Sequence, residues 1–238
     1  MKKIFLVCLI AIFLSGCAQT SKFVYPSKAE NLIQLYKETK YNLRVAVLPF
    51  EEKRGDINKS NYIFYLIPLM IVTSGRYERP DAARPFLTTS EFDFDVSEDI
   101  AKAVVTSLKR SNLFKDVFFT FGGESINADL IIKGDIESMR YVGKLYSYGI
   151  SVACPVLWLL GLPAGTSYNE LSLRLYLTKK DVEEPIWEYA FTKESLIVQG
   201  VYYNWGKDVK GYTSLLEEGM NDAIQSLDRE LSSINFRK

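Results

Sequence analysis

Leu171-Ser172-Leu173-Arg174-Leu175-Tyr176-Leu177-Thr178 is a strict alternation of leucine with polar side chains. Because successive residues of a β-strand point to opposite faces, this period of two predicts a strand with one buried and one half-exposed face. Residues 179–185 supply a turn, after which Trp187, Tyr189 and Phe191 alternate with more polar or smaller residues. The two runs predict an antiparallel hairpin whose apolar face needs a covering layer.

Segments outside the hairpin supply further strands and that layer. Residues 43–50, LRVAVLPF, are typical of a central strand covered on both faces, and residues 114–121 and 129–138 predict two more strands. Two long helices are predicted, one over 96–110 and one over 215–234, because their apolar residues recur every three or four positions. The predicted caps are Asp95 with Glu98, then Ser111-Asn112, for the first helix, and Ser214 with Glu217 for the second.

The order of these elements predicts the fold class. It is α/β of the α+β kind, a mixed sheet of four to five strands with two long helices covering one face. Residues 29–39 predict a short helix that docks on this body. The predicted organisation is a signal peptide over 1–16, a lipidated tether with a short helix over 17–42, and a single periplasmic domain over 43–238.

The composition excludes several classes of function. The chain has 238 residues with 29 basic and 29 acidic side chains, so no net charge attracts nucleic acid. It contains no histidine, which excludes Ser-His-Asp and Cys-His catalysis and the usual imidazole zinc sites. The acids of residues 93–99 lack the glycine and glutamate that a calcium loop requires, and no phosphate-binding glycine pattern occurs. We therefore predict no catalytic residue, no metal site and no cofactor.

The first seventeen residues are typical of a lipoprotein signal peptide followed by the cysteine that is lipidated. Two lysines precede an eleven-residue apolar stretch that is too short to span a bilayer, and Leu14-Ser15-Gly16-Cys17 has the form of a bacterial lipobox. This pattern predicts cleavage before Cys17 and lipidation of its thiol; an ordinary signal peptide with a chance cysteine is the alternative. Ala18 stands where aspartate would favour the inner membrane, which predicts an outer-membrane anchor facing the periplasm. The remaining mature cysteine, Cys154, is expected to be a buried small hydrophobe.

Two charge-free insertions interrupt the predicted scaffold. Residues 60–75 lie between Lys59 and Arg76, and residues 145–169 lie between Lys144 and Glu170. Pro155, Gly161 and Pro163 break the second run and the first run is shorter than a bilayer requires, so neither is expected to be a membrane-spanning helix. The insertions either fold over each other and over the open face of the sheet as extra core, or form an apolar surface for self-association or membrane contact.

Aromatic residues near the end of the chain are candidates for contact with a partner. Tyr202, Tyr203 and Trp205 are large amphipathic side chains that often anchor contacts, although packing over the last helix is an alternative. Together with Trp158 and Leu160 of the second insertion, they are the candidate interaction residues. The expected partners are the membrane, through the lipid on Cys17, and another envelope protein or a second copy of the chain.

A resemblance follows from the order of four short motifs. They are Val45-Ala46-Val47-Leu48-Pro49-Phe50, the stretch from Ile100-Ala101-Lys102-Ala103 through Leu113-Phe114-Lys115-Asp116-Val117, Ala128-Asp129-Leu130-Ile131-Ile132-Lys133-Gly134, and a leucine hairpin with Ile186-Trp187. In this order the chain resembles bacterial envelope lipoproteins that include the curli secretion channel subunit, the penicillin-binding-protein activator LpoB and the TolB amino-terminal domain. The resemblance implies an α/β sandwich and a non-enzymatic role, and no functional residue is carried over by it.

Three functional hypotheses follow. The first is a lipid-anchored, non-enzymatic periplasmic accessory protein that acts through protein–protein contacts. The second is a subunit of an oligomeric outer-membrane export assembly. The third is an envelope hydrolase built on a carboxylate pair, which the absence of histidine disfavours.

Overall fold

A computed structural model describes residues 19–80, 90–122, 127–205, 207 and 211–234 of the chain. The strands are β1 Gln19–Lys22, β2 Tyr41–Val47, β3 Glu51–Glu52, β4 Asn58–Ser60, β5 Val72–Tyr77, β6 Ser90–Asp93, β7 Phe114–Phe119, β8 Leu130–Tyr146, β9 Gly165–Lys179 and β10 Pro185–Gln199. The α-helices of these residues are α1 Val96–Ser111, α2 Pro155–Leu159 and α3 Gly211–Ser233. Short 3-10 turns occupy Ala29–Asn31, Tyr62–Leu66 and Ser151–Ala153.

The sheet is mixed, as predicted, but larger than expected. Its main order is β10-β9-β8-β2-β7, and β3, β4 and β5 extend it to eight strands within the described residues. β9 is antiparallel to β8 and β10, whereas β2 is parallel to β7 and β8. The expectation of four to five strands is wrong because β8 continues to Tyr146 and its second half pairs with β5, which begins within the first charge-free insertion. β1 and β6 form a separate parallel pair.

The predicted hairpin is confirmed. Leu171, Leu173, Leu175 and Leu177 are at most 2% exposed, whereas the side chain of Arg174 on the other face is 38% exposed. The leucines belong to one apolar core with residues of both long helices, so α1 and α3 cover this face of the sheet. The third helix, α2, lies in the second charge-free insertion and was not predicted.

Helix α1 begins and ends where its sequence predicts. The Asp95 carboxylate accepts a hydrogen bond from the Glu98 backbone N–H at 3.1 Å, and Asn112 ends the helix in the left-handed conformation with φ of 57°. The reciprocal partner differs, because the Asp95 backbone N–H donates to the carboxylate of Asp99 rather than to that of Glu98. The first turn therefore still carries the acidic side chains that favour a helix N-terminus.

The prediction of a helix over 29–39 is wrong, since only the 3-10 turn Ala29–Asn31 forms there. The rest of this segment bonds to the body instead of to itself. The Ile33 backbone N–H donates to the Asn221 side chain at 2.9 Å, and the Tyr36 backbone N–H donates to the Ser111 carbonyl at 3.3 Å. The backbone polar groups that a helix would pair internally thus find partners on α3 and at the end of α1. The docking part of the prediction is confirmed.

Candidate functional site

One end of the sheet carries three apolar connections. β5 begins, β8 and β10 end, and β9 begins at this end, because Val72 pairs with Tyr146, Leu145 with Gly165, and Gly165 with Gln199. We call the connections at this end, residues 61–72, 147–164 and 200–205, the apolar end. None of these three segments contains a charged residue. The strand register therefore brings together two insertions and a loop that are distant in sequence.

Backbone hydrogen bonds hold the three segments together. The Leu69 N–H donates to the Gly149 carbonyl at 2.9 Å, and the Ser147 N–H donates to the Ile71 carbonyl at 3.0 Å. The Ala164 N–H donates to the Gln199 carbonyl at 2.7 Å, which joins the second insertion to the end of β10. The apolar end is thus a bonded structure in which each segment fixes the next.

Part of the apolar end is extra core, as one of the two interpretations predicted, but it lies on the leucine face of the sheet rather than on the open face. Tyr62 is buried against Tyr77 and Tyr141, which lie on the same face of the sheet as Met139 and Leu171. Its hydroxyl lies against Gly143, where a β-carbon would be 2.5 Å from the hydroxyl oxygen, so a larger residue there would displace the tyrosine side chain. The first insertion is therefore anchored to the sheet by this ring.

Cys154 and Tyr65 form the interior contact between the two insertions. Cys154 is fully buried, as predicted, and its sulfur lies 2.7 Å from the Tyr65 hydroxyl oxygen. Burial raises the pKa of the Cys154 thiol and that of the Tyr65 hydroxyl. A thiol with a raised pKa stays protonated at neutral pH and is a weak nucleophile. This pair therefore packs the insertions rather than offering reactive chemistry.

The outer surface of the apolar end exposes many aliphatic side chains. Leu69 is 86% exposed and Leu160 is 74% exposed. The other large hydrophobic residues exposed here are Ile63, Phe64, Leu66, Ile67, Ile71, Val72, Ile150, Val152, Val156, Leu159, Leu162 and Val201. A contiguous exposed surface of this kind marks an interaction site more often than a solvated one.

The structure places the predicted interaction residues on this surface. The ring of Trp158 lies 6.3 Å from that of Tyr65 and 6.4 Å from that of Trp205, measured between centroids. Its indole N–H donates to the Tyr146 carbonyl at 3.1 Å, and the Tyr202 hydroxyl donates to the Leu159 carbonyl at 2.8 Å.

Burial differs among these predicted residues. Trp158 is half-buried, whereas Leu160, Tyr202 and Trp205 are exposed. The ring of Tyr203 covers Gly200, with which its backbone pairs. The predicted residues thus lie close together, and their role in contact stays a prediction. Cys17, the predicted lipidation site, lies outside the described residues.

Pro155 and Gly161 delimit the short helix α2 rather than break one. Pro155 is the first residue of α2, where a missing backbone N–H costs nothing, and Gly161 follows its end with φ of 95°. The helix has only five residues, far fewer than a bilayer requires, in agreement with the expectation that this run is not a membrane-spanning helix.

Leu69 is a residue that the sequence did not single out. It combines high exposure with a left-handed backbone, at φ of 71°. That region is unfavourable for leucine and favours glycine or asparagine. Within a single sequence only its place in a charge-free run could have drawn attention to it.

The opposite face of the sheet is polar and cross-linked by ion pairs. Arg174 contacts Glu137 at 2.8 Å and Glu188 at 2.7 Å, and Lys53 contacts Asp135 at 2.7 Å. Arg140 similarly pairs with Glu170, and the Tyr176 hydroxyl donates to Asp135. These carboxylates each have a basic or hydroxyl partner, an arrangement that fixes neighbouring strands.

Two features are absent from the described part of the chain. Across those residues, no group of three or more histidine, cysteine, aspartate or glutamate side chains is arranged to hold a metal ion. No helix of the same residues has both the length and the apolar character needed to cross a bilayer.

Comparison with known proteins gives similarities of structure alone. No family model matches the sequence and no curated protein matches it. A Xanthomonas campestris protein of the DUF330 family model is similar in structure with a TM-score of 0.46 and 9% identity, over 86% of this chain and 95% of that chain. The PelC dodecamer from Paraburkholderia phytofirmans is similar with a TM-score of 0.41 and 13% identity, over 82% of this chain and 92% of that chain.

A hypothetical protein from Chlamydia trachomatis is similar with a TM-score of 0.34 and 10% identity, over 82% of this chain and 96% of that chain. All three TM-scores lie below 0.5, so these similarities establish neither a family nor a function. The resemblance to the group of the curli channel subunit, LpoB and TolB stays a prediction.

Proposed function

We propose that the protein is a lipid-anchored, non-enzymatic accessory of the bacterial envelope. A lipid on Cys17 holds it at the outer membrane, facing the periplasm, and it works by binding rather than by catalysis. The observation that carries this proposal is the apolar end, where three charge-free segments form one bonded surface that exposes Leu69, Leu160 and their neighbours. Such a surface is stable in an aqueous compartment when something outside the chain covers it.

Leu69 adds an independent argument for contact. Its side chain gains almost no burial within the chain, and its left-handed backbone costs about 1 kcal/mol relative to glycine. Neither packing nor local conformation within the chain therefore favours leucine at this position. A contact made by its side chain outside the chain would supply the missing stabilisation.

A second candidate is a subunit of an oligomeric envelope assembly, and the edge of the sheet favours it. β10 is a fifteen-residue edge strand with no further strand paired to its outer side among the residues described. Leu196 and Val198 are exposed on it. An open edge of this length can pair with a second copy, although the charges of Glu188, Lys193 and Glu194 oppose unspecific pairing.

The test is a double substitution, Leu69→Asn with Leu160→Asp, in the full lipoprotein. Both side chains are exposed, so the thermal midpoint should change by no more than about 2 °C. A photo-crosslinkable residue at position 152, also at the apolar end, should form a crosslink in intact cells that the double substitution abolishes.

Val182→Asp is the matched control. Val182 is an exposed aliphatic residue in the turn between β9 and β10, at the opposite end of the sheet. Its substitution should leave the crosslink unchanged. A large fall of the thermal midpoint in the Leu69→Asn, Leu160→Asp variant would show instead that the apolar end is core, and would overturn the proposal.

A further inference from the structure

We propose that the apolar end binds the membrane itself, next to the lipid on Cys17. The protein would then stand on the bilayer by two attachments, a covalent lipid and an aromatic and aliphatic end that enters the headgroup region. This inference rests on the lipid anchoring of the proposed function, and it names the partner of the contact surface. Three observations carry it.

The first observation is the path of the chain into the body. Residues 23–40 follow α3 from its N-terminus to its C-terminus, with contacts at steps of about one or two helical turns. The contacts join Val24 to Thr213, Ser27 to Glu217, Ile33 to Asn221, and Tyr36 to Asp228. The chain therefore enters the body at the N-terminal end of α3.

Along the direction of the strands, the N-terminal end of α3 is nearer to the apolar end of the sheet than to the opposite end. A β-carbon at Gly211 would lie 2.6 Å from the Asn169 side chain and 3.3 Å from that of Ser195. Each of these residues is four positions from the end of its strand at the apolar end, Gly165 or Gln199. At about 3.3 Å per residue this is roughly 13 Å, whereas Lys179 at the other end of β9 is ten positions, or roughly 33 Å, away.

Cys17 is close in sequence to the residue at which the chain joins the body. Cys17 precedes Phe23 by six residues, which span at most about 20 Å, and four of them, Gln19–Lys22, form β1 paired with β6. Phe23 is fixed to the body, since its ring stacks on that of Phe94 at 4.5 Å between centroids. A lipid on Cys17 therefore lies within about 20 Å of Phe23, which is next to the contact of Val24 with Thr213 near the start of α3.

The second observation is the sign of the nearest charges. On three strands the charged residue nearest to the apolar end is a cation. These residues are Lys59 on β4, Arg76 on β5 and Lys144 on β8. On β9 and β10 the first charged residues are Glu170 and Glu194, each five residues from the strand end. Cations thus lie nearest to the apolar residues, where anionic lipid headgroups would meet them.

The third observation is the type of aromatic residue at the apolar end. Trp158, Trp205 and Tyr202 combine an apolar ring with a polar atom, and Tyr146 and Tyr148 lie at the same end of β8. Tryptophan and tyrosine are enriched at membrane–water interfaces for this reason. An uncharged aliphatic tip, aromatic residues around it and cations behind them are together typical of interfacial binding.

The tryptophans allow a direct test. Two of the three tryptophans, Trp158 and Trp205, lie at the apolar end, and Trp187 is buried in the core. The full lipoprotein is placed in vesicles of phosphatidylethanolamine and phosphatidylglycerol whose acyl chains carry bromine, which quenches tryptophan fluorescence at short range. We expect strong quenching relative to unbrominated vesicles.

A matched variant locates the signal. Trp158→Phe with Trp205→Phe leaves only Trp187, which lies beneath α3, and should lose the quenching by brominated lipid while retaining its thermal midpoint. In a second arm, Lys144→Gln should weaken binding of the unlipidated chain to anionic vesicles by about fivefold. Unchanged quenching in the double variant would overturn the inference.

The remaining outcomes separate this inference from the proposed function. The mass of the amino-terminal peptide shows whether Cys17 is acylated, and an unacylated peptide would overturn the lipid anchor and with it the two attachments. An acylated protein whose tryptophans are not quenched would overturn the membrane contact alone. If that unquenched protein also sediments as an oligomer that Leu160→Asp dissociates, the apolar end is covered by a second copy of the chain.

Discussion

Glu217 has a role that differs from the one its sequence position predicts. It is buried on α3 and accepts hydrogen bonds from the Ser27 backbone N–H at 2.5 Å, the Ser27 hydroxyl at 2.7 Å and the Asn31 side chain at 2.7 Å. The helix begins at Gly211, so Ser214 lies within it and does not cap it with Glu217. The carboxylate instead holds the amino-terminal segment on the helix.

We therefore expect Glu217→Ala to lower the free energy of unfolding by about 2 kcal/mol, because hydrogen bonds to a charged group are lost at a buried site. Denaturant titration measures this change. Glu218→Ala is the neighbouring control; Glu218 is exposed and pairs only with Lys193 in the described ion pairs, so the loss should be below about 1 kcal/mol. Equal losses for the two variants would contradict the assigned role of Glu217.

Strand β9 has one buried face and one polar face. Leu173 is fully buried in the core, and Leu173→Ala should lower the free energy of unfolding by about 2 to 5 kcal/mol because it removes packed methyl groups and leaves a cavity. Arg174 lies on the opposite face in ion pairs with Glu137 and Glu188. Arg174→Ala should have a much smaller effect, since half-exposed pairs contribute little.

Chemical denaturation of both variants measures the difference between the faces. Fluorescence of Trp187 on the neighbouring strand provides a local signal for the same core. A loss for Arg174→Ala as large as that for Leu173→Ala would show that the polar face contributes to the core, and that the helices cover only half of the buried surface.

At the scale of the whole molecule, the two proposed attachments should act together. We expect Cys17→Ser, placed behind a signal sequence that is cleaved without lipidation, to abolish lipid labelling and move most of the protein to the soluble periplasmic fraction. The acyl chains contribute about 0.8 kcal/mol for each buried CH₂, so their loss should weaken membrane binding strongly. Fractionation of labelled cells measures both effects.

The apolar end should account for any Cys17→Ser protein that remains with the membrane. Adding Leu160→Asp should release this remainder, whereas adding Val182→Asp at the opposite end should not. Persistent membrane association in the Cys17→Ser, Leu160→Asp variant would mean that another surface of the body binds the membrane.

Local periodicity determined much of this protein from its sequence. The alternation of residues 171–178 predicted the leucine face, and Asp95 with Asn112 predicted both ends of α1, because strand pleating and helix capping depend on neighbouring residues. The charge-free runs and the candidate residues Trp158 and Trp205 were equally visible. The predicted helix over 29–39 failed because partners on α3 and α1 replaced its internal hydrogen bonds.

Only the tertiary structure decided how the candidate residues are arranged. The pairing of Val72 with Tyr146 and of Gly165 with Gln199 brings the two insertions and the aromatic loop to one end of the sheet. Strand register across more than 70 residues is set by the packing of the whole sheet, and no short pattern encodes it. For the same reason the sequence determined that apolar and aromatic residues are present, whereas the fold determined that they form one exposed surface at one end of the sheet.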